Sequence, residues 1–300
     1  MACDRFSFPF LSTAMGLNAT KADRLRGNPD TFRRLTGISP EDFDQVLADL
    51  RPLYEEAERE RLGRPDRERA IGGGRNFKLA LEDRLLMLLM YYRLYVTREF
   101  LGFLFDLDDS NVGRNINPLE PLLAQVFRVE RRRIEAEEEE IEKLFFDATE
   151  QPIQRPSSKK PRREYYSGKQ GDHTIKHQIA VDGTGQIRAV SHSYPGRVHD
   201  KRVYDTEQVV IPRQTEAIGD LGYQGSVLTV PNKKPKGGTL SEQEKAYNRK
   251  HASERILVEH LLIGTLKIFK ILKDRFRNEL SRHALMFKNI AGLCNLRFSS

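Results

Sequence analysis

The run RRRIEAEEEEIE at 131–142 divides this chain into two parts with different apolar periods. Before it, apolar residues recur every three to four positions, as on helices; from residue 144 onward they alternate, as on half-buried strands. A chain patterned this way predicts an all-helical front part joined to a mixed α/β part. The run itself reads as a solvated linker helix and carries no chemistry.

In the front part, Asn28-Pro29 and Ser39-Pro40 are cap-plus-first-turn signals. Phe43, Val46, Leu47 and Leu50 then fall at helical spacing, and Gly72, Gly73 and Gly74 mark a flexible link. Leu81, Leu85, Leu88, Leu89 and Tyr92 give a helix over about 81–95 one apolar face. A short helix follows at about 98–105, then the turn DLDD at 106–109 and a helix starting near Ser110. There Val112 and Ile116 point inward, which exposes Asn111, Arg114 and Asn115. This order is that of a helix-turn-helix, whose last helix enters the DNA major groove; plain packing of three helices is the competing reading.

In the back part, IKHQIAVD at 175–182 and IRAVSHS at 187–193 form a hairpin around Gly183–Gly185. A helix over about 199–209, strands at 215–219 and 227–231, and a long helix opened by the capping box Ser241/Glu244 follow. A last helix covers 280–298. The predicted fold is a ribonuclease-H-like mixed five-stranded sheet flanked by helices, preceded by an all-α helix-turn-helix domain. The predicted boundaries are an N-terminal helical region at 1–75, a helix-turn-helix domain at 76–135 and a catalytic domain at 140–300.

Three acids occupy the places where such a sheet would gather them. Asp147 closes the apolar run LFF, Asp220 closes AIG before a glycine turn, and Glu259 lies in the long helix. In this strand order Asp147 sits on the central strand and Asp220 on the strand beside it. Each has an ordinary reading: a strand end, a turn aspartate, or for Glu259 a partner of Arg255 at i,i+4. Together they repel one another unless cations intervene. Carboxylate oxygens suit Mg²⁺ or Mn²⁺, and two such ions support in-line displacement at phosphorus. Asp200, after His199 at a helix start, is an auxiliary candidate ranked below Asp220, with the helix dipole as its ordinary explanation.

Charge points the same way. The net charge of +7 and the pI of about 9.3 favour a polyanionic partner. The segment RPSSKKPRREYYSGK at 155–169 reads as a basic loop close to Asp147, with Lys159, Lys160, Arg162, Arg163 and Lys169 available to phosphates. Tyr165 and Tyr166 are available to stack on bases; a solvated mobile loop is the alternative. Cys3 and Cys294 make neither a disulfide framework nor a metal quartet, which fits a reducing cytosol. No signal peptide is read at the N-terminus, and LLMLLMYY at 85–92 is too short to span a bilayer. A cytoplasmic, nucleoid-associated protein is expected.

The segments DATEQPIQRP (147–156), YYSGK (165–169), HTIK (173–176), SYPGRVHD (193–200), GDLGYQG (219–225), KKPKGG (233–238), RILVEH (255–260), DRFRN (274–278) and AGLCNLR (291–297) occur in an order that resembles a DDE-type transposase. The closest type is the insertion-sequence-five and PIF/Harbinger group. The resemblance is dense over 144–298, and 80–125 resembles that family's helix-turn-helix companion. It implies a ribonuclease-H-like domain with a metal-bound triad, here Asp147, Asp220 and Glu259, that acts on the ends of its own element. It implies double-stranded DNA as partner, both as terminal inverted repeats and as target, and a homodimer or larger assembly that brings two ends together. A nuclease without strand transfer and a non-enzymatic DNA-binding protein are the alternatives.

Overall fold

The structure is a computed structural model that describes residues 19–63, 78–127, 129, 131, 134 and 141–297, excepting the side chains of 257–263. Most of the linker run and the glycine link at 72–74 lie outside the described residues.

Seven helices build the front part: α1 (Lys21–Arg26), α2 (Pro29–Thr36), α3 (Pro40–Leu62), α4 (Leu81–Leu94), α5 (Arg98–Phe105), α6 (Asp109–Ile116) and α7 (Leu119–Phe127). Asn28 caps α2 by accepting from Thr31 N–H at 3.1 Å. Ser39 and Asp42 close a capping box on α3. The α4 helix is buried all round instead of on one face, including Asp83 and Arg84. The charges there have partners: Asp83 accepts from Ala22 N–H at 2.8 Å, and Arg84 donates to the Tyr54 hydroxyl at 2.7 Å and the Asn115 carbonyl at 3.1 Å. Thus α1 to α3 cover the side of α4 that its sequence leaves polar.

The sheet comprises β1 (Lys143–Pro152), β2 (Tyr166–Ser167), β3 (Asp172–Asp182), β4 (Ile187–Val190), β5 (Tyr194–Pro195) and β6 (Glu216–Ile218). It is six-stranded and mixed, which corrects the expected five. The added strand is β2, which no expected strand covers, while two further changes offset each other. Ser191 turns its carbonyl to His177 Nδ1 at 3.0 Å, and its hydroxyl accepts from Gln178 N–H at 2.8 Å in the carbonyl's place. The ladder breaks there, so the expected strand at 187–193 becomes β4 and β5, both paired to β3. The expected strand at 227–231 adds only a bridge from Thr229 to Ile218 before Pro231, which has no N–H to continue it.

The segment expected as a basic loop forms α8 (Lys159–Tyr165). Its Pro161 lies in the first turn, where no intrahelical N–H bond is lost. Next come α9 (Asp200–Glu207), α10 (Glu242–Leu266), α11 (Lys270–Lys273) and α12 (His283–Leu296). Ser241 and Glu244 close the box at the start of α10.

One continuous apolar core joins the front helices to α11, α12 and one face of the sheet. Alternation along β1 sends Phe145 into it and Leu144 and Phe146 into a smaller core with Tyr204, Tyr223 and Leu228. The seam between α7 and α12 is tight and polar at its centre. Glu120, 1% exposed, accepts from Tyr92 and Arg282, while Asn289 donates to the Glu120 carbonyl at 3.0 Å. Burial raises the Glu120 carboxyl pKa, and Arg282 opposes that shift. A Cβ on Gly292 would lie 2.1 Å from the Phe127 ring, so Gly292→Ala is expected to cost about 1–3 kcal/mol in urea unfolding.

A buried histidine pair links the sheet to α12. His177 Nδ1 donates to Ser191, and His283 Nε2 donates to Gln151 Oε1 at 2.7 Å. Gln151 must present that oxygen, because its amide nitrogen donates to the carbonyls of Ile271 and Asp274. The other two ring nitrogens face each other at 2.8 Å, so two lone pairs meet unless a proton is taken up. Burial prevails over that uptake: no carboxylate reaches the pair among the described residues, and desolvation lowers His177 from 6.5 to about 4. Above 6.5 both folded and unfolded chains hold a neutral ring, and stability is insensitive to this group. Between 6.5 and about 4 only the unfolded chain takes the proton, so acid favours unfolding. Thermal unfolding from pH 7 to 4 is expected to show a loss reaching about 3 kcal/mol from this residue. His177→Gln is expected to flatten that part of the profile.

Candidate active site

The site forms where the pairing of β1 with β6 ends. The two strands run parallel, with Phe145 opposite Ile218. Asp147 and Asp220 each follow two residues later, so the same register carries both acids to one end of the pair. The Asp220 carboxylate accepts from Gly222 N–H at 2.8 Å, which holds it at the start of a single 3₁₀ turn, Leu221–Tyr223. Asp147 is half-buried and faces Arg255 of α10, with Oδ1 3.7 Å from the guanidinium. Lys143 reaches Glu254 at 2.8 Å and places this part of α10 over β1. Glu259 lies on α10 one turn beyond Arg255, on the same helix face. Its side chain is outside the described residues.

Asp200 is closer to this site than its rank in the sequence suggested. A side-chain carbon on Gly222 would sit 2.8 Å from Asp220 Oδ1 and 3.0 Å from Asp200 Oδ2, so the two carboxylates flank one small space. Asp200 is held by Lys176, whose Nζ donates at 2.6 Å and also meets Glu150 at 3.3 Å and the Val198 carbonyl at 2.8 Å. Glu150 in turn accepts from Thr174 at 2.6 Å. Glu150 and Lys176 lie in the segments DATEQPIQRP and HTIK, where no role is read for them; β1–β3 pairing sets them opposite each other. His199 is exposed at the α9 N-cap and makes no side-chain cap bond.

Tyr223 completes the arrangement. It is fully buried, and among the described residues its hydroxyl has no hydrogen-bond partner. Desolvation, then the nearby charges of Asp200, Asp147 and Asp220, push the phenol well above its ordinary range. A donor that stays protonated thus sits among three acids. The motif GDLGY contains this tyrosine, but only the fold shows where its hydroxyl lies.

The carboxylate oxygens of Asp147, Asp220 and Asp200 are hard ligands of the kind a divalent cation takes, while the Arg255 guanidinium stands beside Asp147 as a counter-charge. Among the described residues no three metal-capable side chains converge on one point.

The basic candidates divide. Lys159, Lys160, Arg163 and Lys169 are exposed around α8 and the turn after it. Arg162 is half-buried and donates to the carbonyls of Pro156 and Ser157. Tyr166 is exposed, whereas Tyr165 packs against the core. On α6, Arg114 is exposed and Asn111 half-buried. Asn115 corrects the expectation of an exposed reader: it is 5% exposed, and its Nδ2 donates to the Asn111 carbonyl at 2.8 Å. The cause is tertiary, since Arg84 of α4 binds the backbone at this position.

Residues 146–295 match the family described as DDE superfamily endonuclease, and residues 77–128 match the helix-turn-helix of that family. This chain belongs to the DDE superfamily endonucleases. It is 34% identical over 273 residues to a Microchaete diplosiphon protein named "Probable transposase for insertion sequence element IS702", covering 88% of this chain and 93% of that protein. It is 27% identical over 272 residues to a Streptomyces albus G protein named "Putative transposase for insertion sequence element IS112", covering 89% and 95% respectively. No solved structure matches the chain. Among the described residues no helix is long and apolar enough to cross a membrane.

Gly222→Ala would push a methyl against both Asp220 and Asp200. Supercoiled-plasmid nicking is expected to fall about 10²-fold, as for an ångström-scale misplacement of catalytic groups. Thermal unfolding is expected to change by about 1 kcal/mol or less.

Proposed function

We propose that the chain is a DNA transposase of the insertion-sequence-five and PIF/Harbinger type, acting on the ends of its own element. The observation that carries the reading is the placement of Asp147 and Asp220 at one end of the parallel β1–β6 pair, within a chain of this endonuclease family. The near-full-length likeness to proteins named as transposases supports the step from endonuclease to transposase.

In this reading residues 140–300 are a ribonuclease-H-like catalytic domain, 76–135 a DNA-binding domain and 1–75 a helical region, of which α1 to α3 pack on α4. Asp147, Asp220 and Glu259 hold Mg²⁺ or Mn²⁺, as two ions, with Asp200 and His199 auxiliary. Bound there, the ions supply charge neutralisation at the scissile phosphate and a water acidic enough to attack it. The chain's own residues position the rest. Lys176 fixes Asp200, the 3₁₀ turn fixes Asp220, and the buried Tyr223 hydroxyl feels the charge of the acids. Hydrolysis leaves a 3′-hydroxyl, whose oxygen then bonds a target phosphorus while the target strand's own 3′-oxygen departs and takes the proton. Arg114 and Asn111 face the terminal inverted repeats, and Lys159, Lys160, Arg162, Arg163 and Lys169 meet phosphates. Two ends require at least a dimer. The setting is the cytoplasm, at the nucleoid.

Labelled element ends incubated with Mg²⁺ and target plasmid test this. Cleavage and covalently joined product are both expected, and both are expected to fall by at least about 10³-fold in Asp147→Asn and in Glu259→Gln. Cleavage without joining would leave a nuclease, and activity retained in Asp147→Asn would overturn the site.

A further inference from the structure

An open cleft of about 690 Å³ lies where His173 faces Ile153, six residues along the chain from Asp147. It is lined by Arg155, Arg162, Arg163, Tyr166, His173 and Arg197. Three chain segments meet there. The last turn of α8 brings Arg162 and Arg163 and the segment before it Arg155, the β2–β3 pairing sets Tyr166 opposite His173, and the Arg197 N–H ties the loop before α9 to the Glu164 carbonyl at 3.3 Å. His173 meets the tyrosine ring at 70° with centroids 5.6 Å apart.

The lining carries more positive charge than the protein itself neutralises. Among the described residues no carboxylate lies within ion-pair distance of Arg155, Arg163 or Arg197. The acid beside His173, Asp172, is already paired with Arg275 at 2.6 Å. Free guanidinium forks suit phosphate oxygens. Tyr166 is 47% exposed, a large aromatic surface left to solvent in the middle of these charges. A base within a duplex has both faces covered by its neighbours, so only an unstacked base could lie on that ring. The volume is that of a small-molecule site, suited to one nucleotide and not to a double helix. Arg197 is three residues from Asp200, a span of at most about 11 Å of chain.

We propose that this cleft binds one unpaired nucleotide of the DNA strand being processed, its base stacked on Tyr166 and its phosphates held by Arg155, Arg163 and Arg197. The assignment rests on the reading of the chain as an enzyme acting on DNA. It adds that the strand is locally unstacked at this cleft, on the chain segment that leads to Asp200.

The test uses the full chain carrying Asp147→Asn, so that binding is read without cleavage. The probes are a duplex with a short single-stranded overhang containing 2-aminopurine and a blunt duplex with the same base paired. Stacking on the ring is expected to quench the overhang probe, and Tyr166→Phe is expected to keep that quenching. Tyr166→Ala is expected to abolish the quenching, weaken overhang binding roughly tenfold, and leave blunt-duplex binding within about twofold. Overhang binding and quenching unchanged in Tyr166→Ala would overturn the proposal, as would equal weakening on both DNAs. Absence of all DNA binding by the parent protein would overturn the reading as a DNA-acting enzyme as well.

Discussion

The parallel pairing of β1 with β6 is the constraint on which the site depends. Its register sets Phe145 beside Ile218, and everything beyond follows from chain geometry. Both strands emerge from the apolar interior at the same level, so the first polar residue of each lands at one shared end. A slip of one residue would turn Asp147 to the opposite face of the sheet. Phe145 and Leu144, buried in different cores on the two faces, make that slip costly, because it would exchange a phenyl ring and an isobutyl group between cavities of different shape.

Around this pair the protein distributes its charges by different means. Asp220 is held by the backbone of its own turn, Asp200 by Lys176, and Asp147 is accompanied by Arg255. The Tyr223 hydroxyl is the exception among these polar groups, since nothing described satisfies it. An orphan donor in a fully desolvated position costs stability, and it is found where three acids are nearest. Its energetic cost and its location are consistent with the proposed site at this end of the sheet.

Much of the fold could be read from residues in order. The caps at Asn28 and Ser39, the Ser241/Glu244 box and the apolar stripes gave helices close to those observed, because these signals act within one turn. The acids Asp147 and Asp220 were legible for a related reason: each ends an apolar run, and a charge at such an end has few places to go. What escaped depends on distant partners. Asn115 lies on the polar side of its own helix by spacing, yet α4 closes over it through Arg84. The break between β4 and β5 comes from a histidine ring that takes the Ser191 carbonyl. Pro161 resembles a helix breaker until its place in the first turn of α8 is known. That Arg197 and His173 line one cleft is not legible in the sequence, because three separate segments must fold together before the cleft exists.

The seam between α7 and α12 fixes more than stability. Glu120 is clasped by Tyr92 and Arg282, Gly292 lets the helices nearly touch, and the apolar interior runs through without interruption. The helices α4 to α7 and the carboxylate end of the sheet are therefore built on one apolar interior. Under the proposed reading, a duplex held at α6 would meet the acids at an offset that this packing sets. For the same reason the catalytic half, expressed alone, would present the raw surface of α12 to water.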